Sequence, residues 1–307
     1  MGFVWGSLSR TSWFCVLLML ANGACAKTFD CARQPKGKDG FTTAEFRLWV
    51  PESVPKLRGV LVLLPGWQGD GRGMADDSAW QAFAEGEGFA LLGCHFKSEG
   101  AARYDVTDKG SGAALLAALE ELAATAHHPE LAQAPLALWG HSAGGQFAYS
   151  FAGWKPDRTV AFVAVKGGVY VNDPGSAIKT VPALLCAGQE DKDFRIDAIK
   201  GIYSEQRKRN APWCLLVESG AGHELGRTHE LARPFLKEAI RLRLPEGEAA
   251  AGAAQKLRPV PVDQGWLIDP ATGNAEAYSR FSKSKSKAIW VPTEALATLW
   301  KQLSGSN

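Results

Sequence analysis

Leu136-Ala-Leu-Trp139 runs directly into Gly140-His141-Ser142-Ala143-Gly144-Gly145, and Gln146-Phe-Ala-Tyr-Ser-Phe-Ala152 follows. The first segment is a short apolar run of the kind that forms a buried strand. In the last, Phe147 and Phe151 fall four residues apart, as on one face of a helix. Between them lies Gly-x-Ser-x-Gly. A side chain at Gly140 or Gly144 would clash across so sharp a strand-to-helix turn, so both positions need glycine. The turn strains the backbone of Ser142 and presents its hydroxyl at the tip. The N-terminus of the following helix aims N–H groups and positive dipole at it. The plainer alternative is a tight glycine turn that joins a strand to a helix and carries no chemistry.

Outward from this point, strand-like runs alternate with helical ones, which predicts a mostly parallel α/β sheet with helices on both faces. Phe41 to Val50 alternates at Phe46, Leu48 and Val50. Gly59-Val-Leu-Val-Leu-Leu64 is continuously apolar, as a strand covered on both faces must be. Gly88–Cys94, Leu136–Trp139, Val160–Val165, Val181–Cys186 and Trp213–Val217 complete the series. Leu115, Leu119 and Leu122 mark a helix that stops before Pro129. Further helices are predicted over Ile196–Arg209 and Thr228–Arg243. No 20–50-residue repeat is visible.

Composition is that of a globular protein: 307 residues, 46% hydrophobic and 21% charged, long enough for one large core. The formal charge is +2, and no basic cluster carries interleaved aromatics, so nothing points to nucleic acid. Ser282-Lys-Ser-Lys-Ser-Lys287 reads as a solvated loop. The six histidines do not cluster at metal-ligand spacing, and neither metal nor cofactor is expected.

Residues 1–26 read as a signal peptide. Arg10 precedes the apolar run Trp13–Ala21, and Ala24-Cys25-Ala26 supplies a cleavage site, so the mature chain is expected to begin at Lys27 and to be secreted or periplasmic. The run is too short for a stable membrane span. Cys25 admits lipoprotein anchoring as a second option, against which Asn22 stands where a lipobox prefers leucine. Cys31, Cys94, Cys186 and Cys214 remain in the mature chain. Their even number permits disulfides in an exported protein. Three of them lie in or at the end of apolar strand-like runs, which suits buried thiols equally.

With its strand, glycine-flanked serine and helix, the segment 136–152 resembles the nucleophile elbow of the α/β-hydrolases. The likeness covers about residues 41–243. It is nearest to secreted, short-loop esterases: the polyhydroxyalkanoate depolymerase, feruloyl esterase and dienelactone hydrolase-like groups. The resemblance implies an acid and a histidine after the serine, in that order. Gly188-Gln-Glu-Asp191 looks like the acid turn, with Asp191 at the matching spacing and Glu190 and Asp193 as competitors. Glu218-Ser-Gly-Ala-Gly-His223 looks like the histidine loop. His229 is the rival downstream, within the helical segment. The oxyanion donors implied are the backbone N–H groups of Ala143 and Trp67. In the loop Pro65-Gly66-Trp67, proline replaces the family's frequent histidine. His141, Tyr170 and Phe194 are candidates to line a pocket, with Trp67 beside them. Only Lys166 to Thr180 separates two core strands where lipases commonly insert a lid, so the lid is expected to be absent or minimal.

The expected organisation is therefore a signal peptide, an α/β-hydrolase domain over 27–245, and a linker with a small C-terminal extension over 246–307. Short strands at Gln264–Ile268 and Ala288–Val291 and a helix at Thr293–Leu303 are expected in that extension. Trp266, Trp290 and Trp300 there suit either core packing on the hydrolase body or an exposed binding face. The expected activity is hydrolysis of a small-molecule or polymeric carboxylic ester. A serine peptidase on the same fold and a non-catalytic envelope or carbohydrate-binding protein are the alternatives.

Overall fold

The fold is described from a computed structural model, which covers residues 1–2, 27–244 and 255–305. The expected leader beyond Gly2 and the expected linker at 246–254 lie outside the described residues. The main sheet has eight strands: β1 (Lys27–Arg33), β2 (Thr43–Val50), β3 (Gly59–Leu64), β4 (Phe89–Lys97), β5 (Leu136–His141), β6 (Thr159–Val165), β7 (Ala183–Gly188) and β8 (Trp213–Glu218). Their order is β1-β2-β4-β3-β5-β6-β7-β8. The first two pairings are antiparallel, and all those from β4 to β8 are parallel.

Five helices accompany it: α1 (Ser78–Glu87), α2 (Ser111–Thr125), α3 (Ala143–Trp154), α4 (Asp193–Lys208) and α5 (Thr228–Arg243). The chain steps from β3 to β4 in one direction and from β4 to β5 in the other. Right-handed crossovers therefore put α1 on the face opposite α2 and α3. The reversal makes the β3/β5 edge a switch point, where the loops at the carboxyl ends of the strands part and leave a crevice. Both Pro65–Gly71 and the Ser142 turn open there.

The predicted strands all form, with shifted ends. Val181-Pro182 does not belong to β7. Proline has no N–H for the ladder, and regular pairing starts at Ala183, with Pro182 contributing only its carbonyl to Phe162 N–H (3.1 Å). Two elements of the main sheet and its helices escaped the pattern reading, as did a short strand at Ala275–Ala277 in the C-terminal extension. β1 is an edge strand with weak alternation, half in solvent. α1 has little periodicity over its ten residues, but its ends are marked. Asp77 accepts from the Ala79 and Trp80 N–H groups at 2.9 Å each, and Gly88 closes the helix at φ 70°.

All six residues of β3 and all seven of β6 are buried. Phe162 on β6 meets Trp213 on β8 edge-on at 5.5 Å, and Tyr149 of α3 closes on Phe162 at 6.3 Å. Such burial, roughly 1.5–3 kcal/mol for each large apolar side chain, is what holds the helices to the sheet.

After α5 come β9 (Trp266–Ile268), β10 (Ala275–Ala277) and β11 (Ile289–Val291), a small antiparallel sheet, then α6 (Glu294–Ser304). Buried Arg207 on α4 donates to the Ala288 (2.9 Å) and Lys285 (2.7 Å) carbonyls, and the Trp300 indole donates to Leu215 O on β8 (2.7 Å). Trp290 and Trp300 are buried and Trp266 is half-buried. Cys94, Cys186 and Cys214 are buried free thiols, and Cys31 is a half-buried one. Among the described residues, no helix is long and apolar enough to cross a membrane.

Candidate active site

Ser142 has φ 53° and ψ −117°, a left-handed conformation that a side-chain-bearing residue adopts only at a cost of about 1–3 kcal/mol. The turn is over-determined. A Cβ on Gly140 would strike the Gly144 carbonyl, and one on Gly144 would strike the Leu64 carbonyl and approach Pro65 O to 2.6 Å. Ser142 N–H is tied to Val165 O (2.7 Å), and Gln146 N–H takes Ser142 O (3.1 Å) as α3 begins.

His223 Nε2 lies 3.1 Å from Ser142 Oγ, and its Nδ1 lies 2.7 Å from Asp191 Oδ2. An ionised carboxylate only accepts, so Nδ1 carries the proton and Nε2 is left to accept from the serine hydroxyl. Asp191 sits at the end of a turn closed by its own N–H on Gly188 O (3.2 Å). Its Oδ1 accepts from Lys192 N–H (2.7 Å) and from Arg195 Nη1 (2.9 Å). Burial pushes the Asp191 carboxyl up, but the hydrogen bonds from His223, the Lys192 N–H and Arg195 outweigh it, and its pKa lies below the usual carboxylate value. Glu190 is exposed. Asp193 is exposed as the first residue of α4. Neither meets His223; nor does His229, which stands half-buried on α5 beside a cavity lined by Trp80, Trp139 and Arg233.

The loop carrying His223 is gripped from several sides. The His141 Nε2–H donates to the His223 carbonyl (2.7 Å). Lys166, at the end of β6, donates to Glu224 O (2.5 Å) and pairs with Glu218 (2.8 Å). Glu190 N–H binds Ala221 O (2.8 Å). Burial disfavours charge on His141 and pushes its pKa down, although its bond to the His223 carbonyl favours the protonated form.

Ala143 is the first residue of α3, so its N–H has no acceptor within the helix. The Pro65–Gly71 loop reaches the serine: a Cβ on Gly66 would sit 3.7 Å from Ser142 Cβ and 3.6 Å from His141 Nδ1. Gln68 pins that loop to the end of β4, donating to Ser98 O (2.6 Å) and accepting from Ser98 N–H (3.0 Å). Trp67 stacks on Tyr104 at 5.0 Å.

Of the pocket candidates, His141 is beside Ser142 and Phe194 stands at the rim. Tyr170 instead packs inward, edge-on against Tyr149 at 5.1 Å. Four large apolar side chains, Trp67, Val169, Phe194 and Leu225, are 45–53% exposed. They follow β3, β6, β7 and β8 at their carboxyl ends, the end of the sheet at which the Ser142 turn lies. Residues 166–182, between β6 and β7, carry only a short helical turn at Ser176–Thr180. Among the described residues, no group of three or more His, Cys, Asp or Glu is placed to hold a metal ion.

Sequence reading passed over the supports. Gln146, one turn after Ser142, accepts from the Gly168 and Val169 N–H groups at 2.9 and 3.0 Å and donates to Asp105 (2.6 Å). Arg195 stands four residues after Asp191, a helical spacing that was open to notice.

No protein-family model matches the chain, and no curated protein sequence does. Solved structures do. A ferulic acid esterase superposes with a TM-score of 0.51 at 17% identity, over 70% of this chain and 97% of its own. Poly(aspartic acid) hydrolase-1 from Sphingomonas sp. KT-1 gives 0.50 at 18% identity, over 69% and 98%. An S-formylglutathione hydrolase from Agrobacterium tumefaciens gives 0.50 at 15% identity, over 70% and 95%. At such identities the likeness is one of architecture, and with the sheet order and the Ser142 turn it establishes that this chain has the α/β-hydrolase fold.

Proposed function

We propose that the chain is an exported serine hydrolase that cleaves carboxylic esters through an acyl-enzyme intermediate. The observation that carries this reading is the unbroken relay Ser142 Oγ–His223–Asp191, at 3.1 and 2.7 Å. Ser142 attacks the ester carbonyl while His223 Nε2 takes its proton. Asp191 holds the ring and stabilises the imidazolium. The N–H groups of Ala143 and Trp67 receive the oxyanion. His223 then gives its proton to the departing alkoxide. Water, deprotonated in turn by His223, releases the acid and restores Ser142. The apolar rim and the absence of a lid insertion between β6 and β7 favour an ester with apolar flanks, small or polymeric, reaching an open site. In this reading residues 27–245 are the catalytic body, 246–307 a linker and packed extension, and 1–26 an export signal.

The test is a panel of p-nitrophenyl esters set against peptide p-nitroanilides, with a fluorophosphonate label. Ester hydrolysis and labelling of Ser142 are expected, with Ser142→Ala losing both at an unchanged melting temperature. Loss of more than about 10³-fold is expected. Faster anilide cleavage would make the protein a peptidase, and no labelling at all would make it a binding protein.

A further inference from the structure

Asp191 has two oxygens, and the relay uses one. The other accepts from Lys192 N–H at 2.7 Å and from Arg195 Nη1 at 2.9 Å, while the Asp191 side chain is 2% and that of Arg195 23% exposed. An exposed pair at i,i+4 would contribute little, but this one has a buried partner and a boxed-in cation. The guanidinium lies over the Phe194 ring at 5.0 Å. The stem of Arg195 crosses Gly168, where a Cβ would come within 2.8 Å of Arg195 Cγ and 3.3 Å of Nε. Gly168 is itself held by Gln146 at 2.9 Å. Arg195 is therefore kept where it is by the Asp191 turn and the loop after β6, with its helix neighbour Phe194 against the guanidinium.

The charged and titratable groups facing His223 are few. The Ser142 turn brings His141. The turn after β7 brings Asp191, with Arg195 behind it. The end of β6 brings Lys166, which is neutralised by Glu218 of β8. The loop's own Glu224 accepts from Gly222 N–H (2.9 Å).

We propose that Arg195 is a positioning residue that tunes the base: it fixes the Asp191 carboxylate so that Oδ2 meets His223, and its charge offsets part of the negative charge that would stabilise the imidazolium. The kinetic consequence rests on the esterase reading above; the titration of His223 does not.

Three variants separate charge from geometry. The His223 imidazole is titrated by NMR in wild type, Arg195→Met, Arg195→Gln and Arg195→Lys, and the pH profile of kcat/KM is recorded with an aryl ester. Arg195→Met should raise the His223 pKa and the rising limb by about half a unit to one unit. It should also lower kcat by roughly tenfold or more, because only the Lys192 N–H is then left to hold Oδ1. Arg195→Gln retains one donor without the charge. It should show the same rise with a smaller loss of kcat. Arg195→Lys retains the charge but not the planar fork. Its limb should stay in place while kcat falls several-fold. An unmoved His223 titration in folded Arg195→Met or Arg195→Gln overturns the proposal, as does an equal displacement in Arg195→Lys. A wild-type protein that hydrolyses no ester sinks the esterase reading, and the titration still decides the role of Arg195.

Discussion

Replacing Lys166 with methionine is expected to cost more stability than any surface change and to loosen the histidine loop. Lys166 is fully buried, and its ammonium spans Glu218 Oε2 at 2.8 Å and the Glu224 carbonyl at 2.5 Å. The Glu218 side chain is 5% exposed, and its other oxygen accepts from Arg227 N–H at 2.5 Å. Methionine matches the volume and keeps the same backbone cost at φ 53°. It leaves a buried carboxylate with one N–H and no cation, and removing one member of a buried pair costs about 3–5 kcal/mol. At about 2–4 °C per kcal/mol for a chain of this size, the melting temperature should fall by roughly 6–20 °C. Removing both charges is a different perturbation, since an apolar pair of similar volume is often neutral or stabilising. Lys166→Met with Glu218→Leu should therefore recover most of the loss. Urea and thermal unfolding by circular dichroism measure both. Kinetics well below the melt should show kcat falling in the single variant, because His223 is anchored through Glu224 O. The reasoning fails if the single variant loses less than about 1 kcal/mol, or if the double variant is less stable than the two single losses added together.

Asp191→Asn should lower kcat on the order of 10³–10⁴-fold by favouring the wrong imidazole tautomer, whereas Asp193→Asn and His229→Ala should stay within a few-fold of wild type; a crippled Asp193→Asn beside a near-normal Asp191→Asn would move the acid along the turn. His141 has a folded pKa below its unfolded value of about 6.5. As the pH falls below that value, the unfolded chain takes up a proton the native state refuses. Wild type should therefore lose stability relative to His141→Gln between about pH 7 and the folded pKa, below which the gap is constant. Denaturation at several pH values checks this, and a pH-independent gap contradicts it. Burial pushes Cys31 up to about 11 and holds Cys94 well above its ordinary value. Peptide mapping after alkylation of native protein at pH 8 should find Cys31 modified slowly and Cys94, Cys186 and Cys214 untouched; rapid labelling of any of those three would show that the strands open.

Much of the architecture is local information. Continuous apolar runs such as Gly59–Leu64 specify buried parallel strands without reference to the rest of the chain. Gly140 marks the Ser142 turn because the clash it avoids is with Gly144 and Gly145, a few positions away, whereas the clash Gly144 avoids, with Leu64 and Pro65, comes from a distant part of the chain. Asp77 and Gly88 bounded α1 in the same local way and went unread for want of a periodic stripe between them. What the sequence leaves open is decided by contacts across long separations. His223 and Ser142 are 81 residues apart, and Asp191 and His223 are 32. Three acids within four positions offered equal charge, and only the path of the turn after β7 brings Asp191 to the ring. Tyr170 was a pocket candidate by its place in the chain, but its ring follows the apolar contact with Tyr149. Lys166, Gln146 and Arg195 read as ordinary polar residues, because a side chain's role as a brace depends on which loops the crossovers bring to it. Local periodicity and backbone sterics are written within a few residues. The ordering of strands, and hence which groups share the crevice at the β3/β5 edge, exists only once the whole sheet has closed.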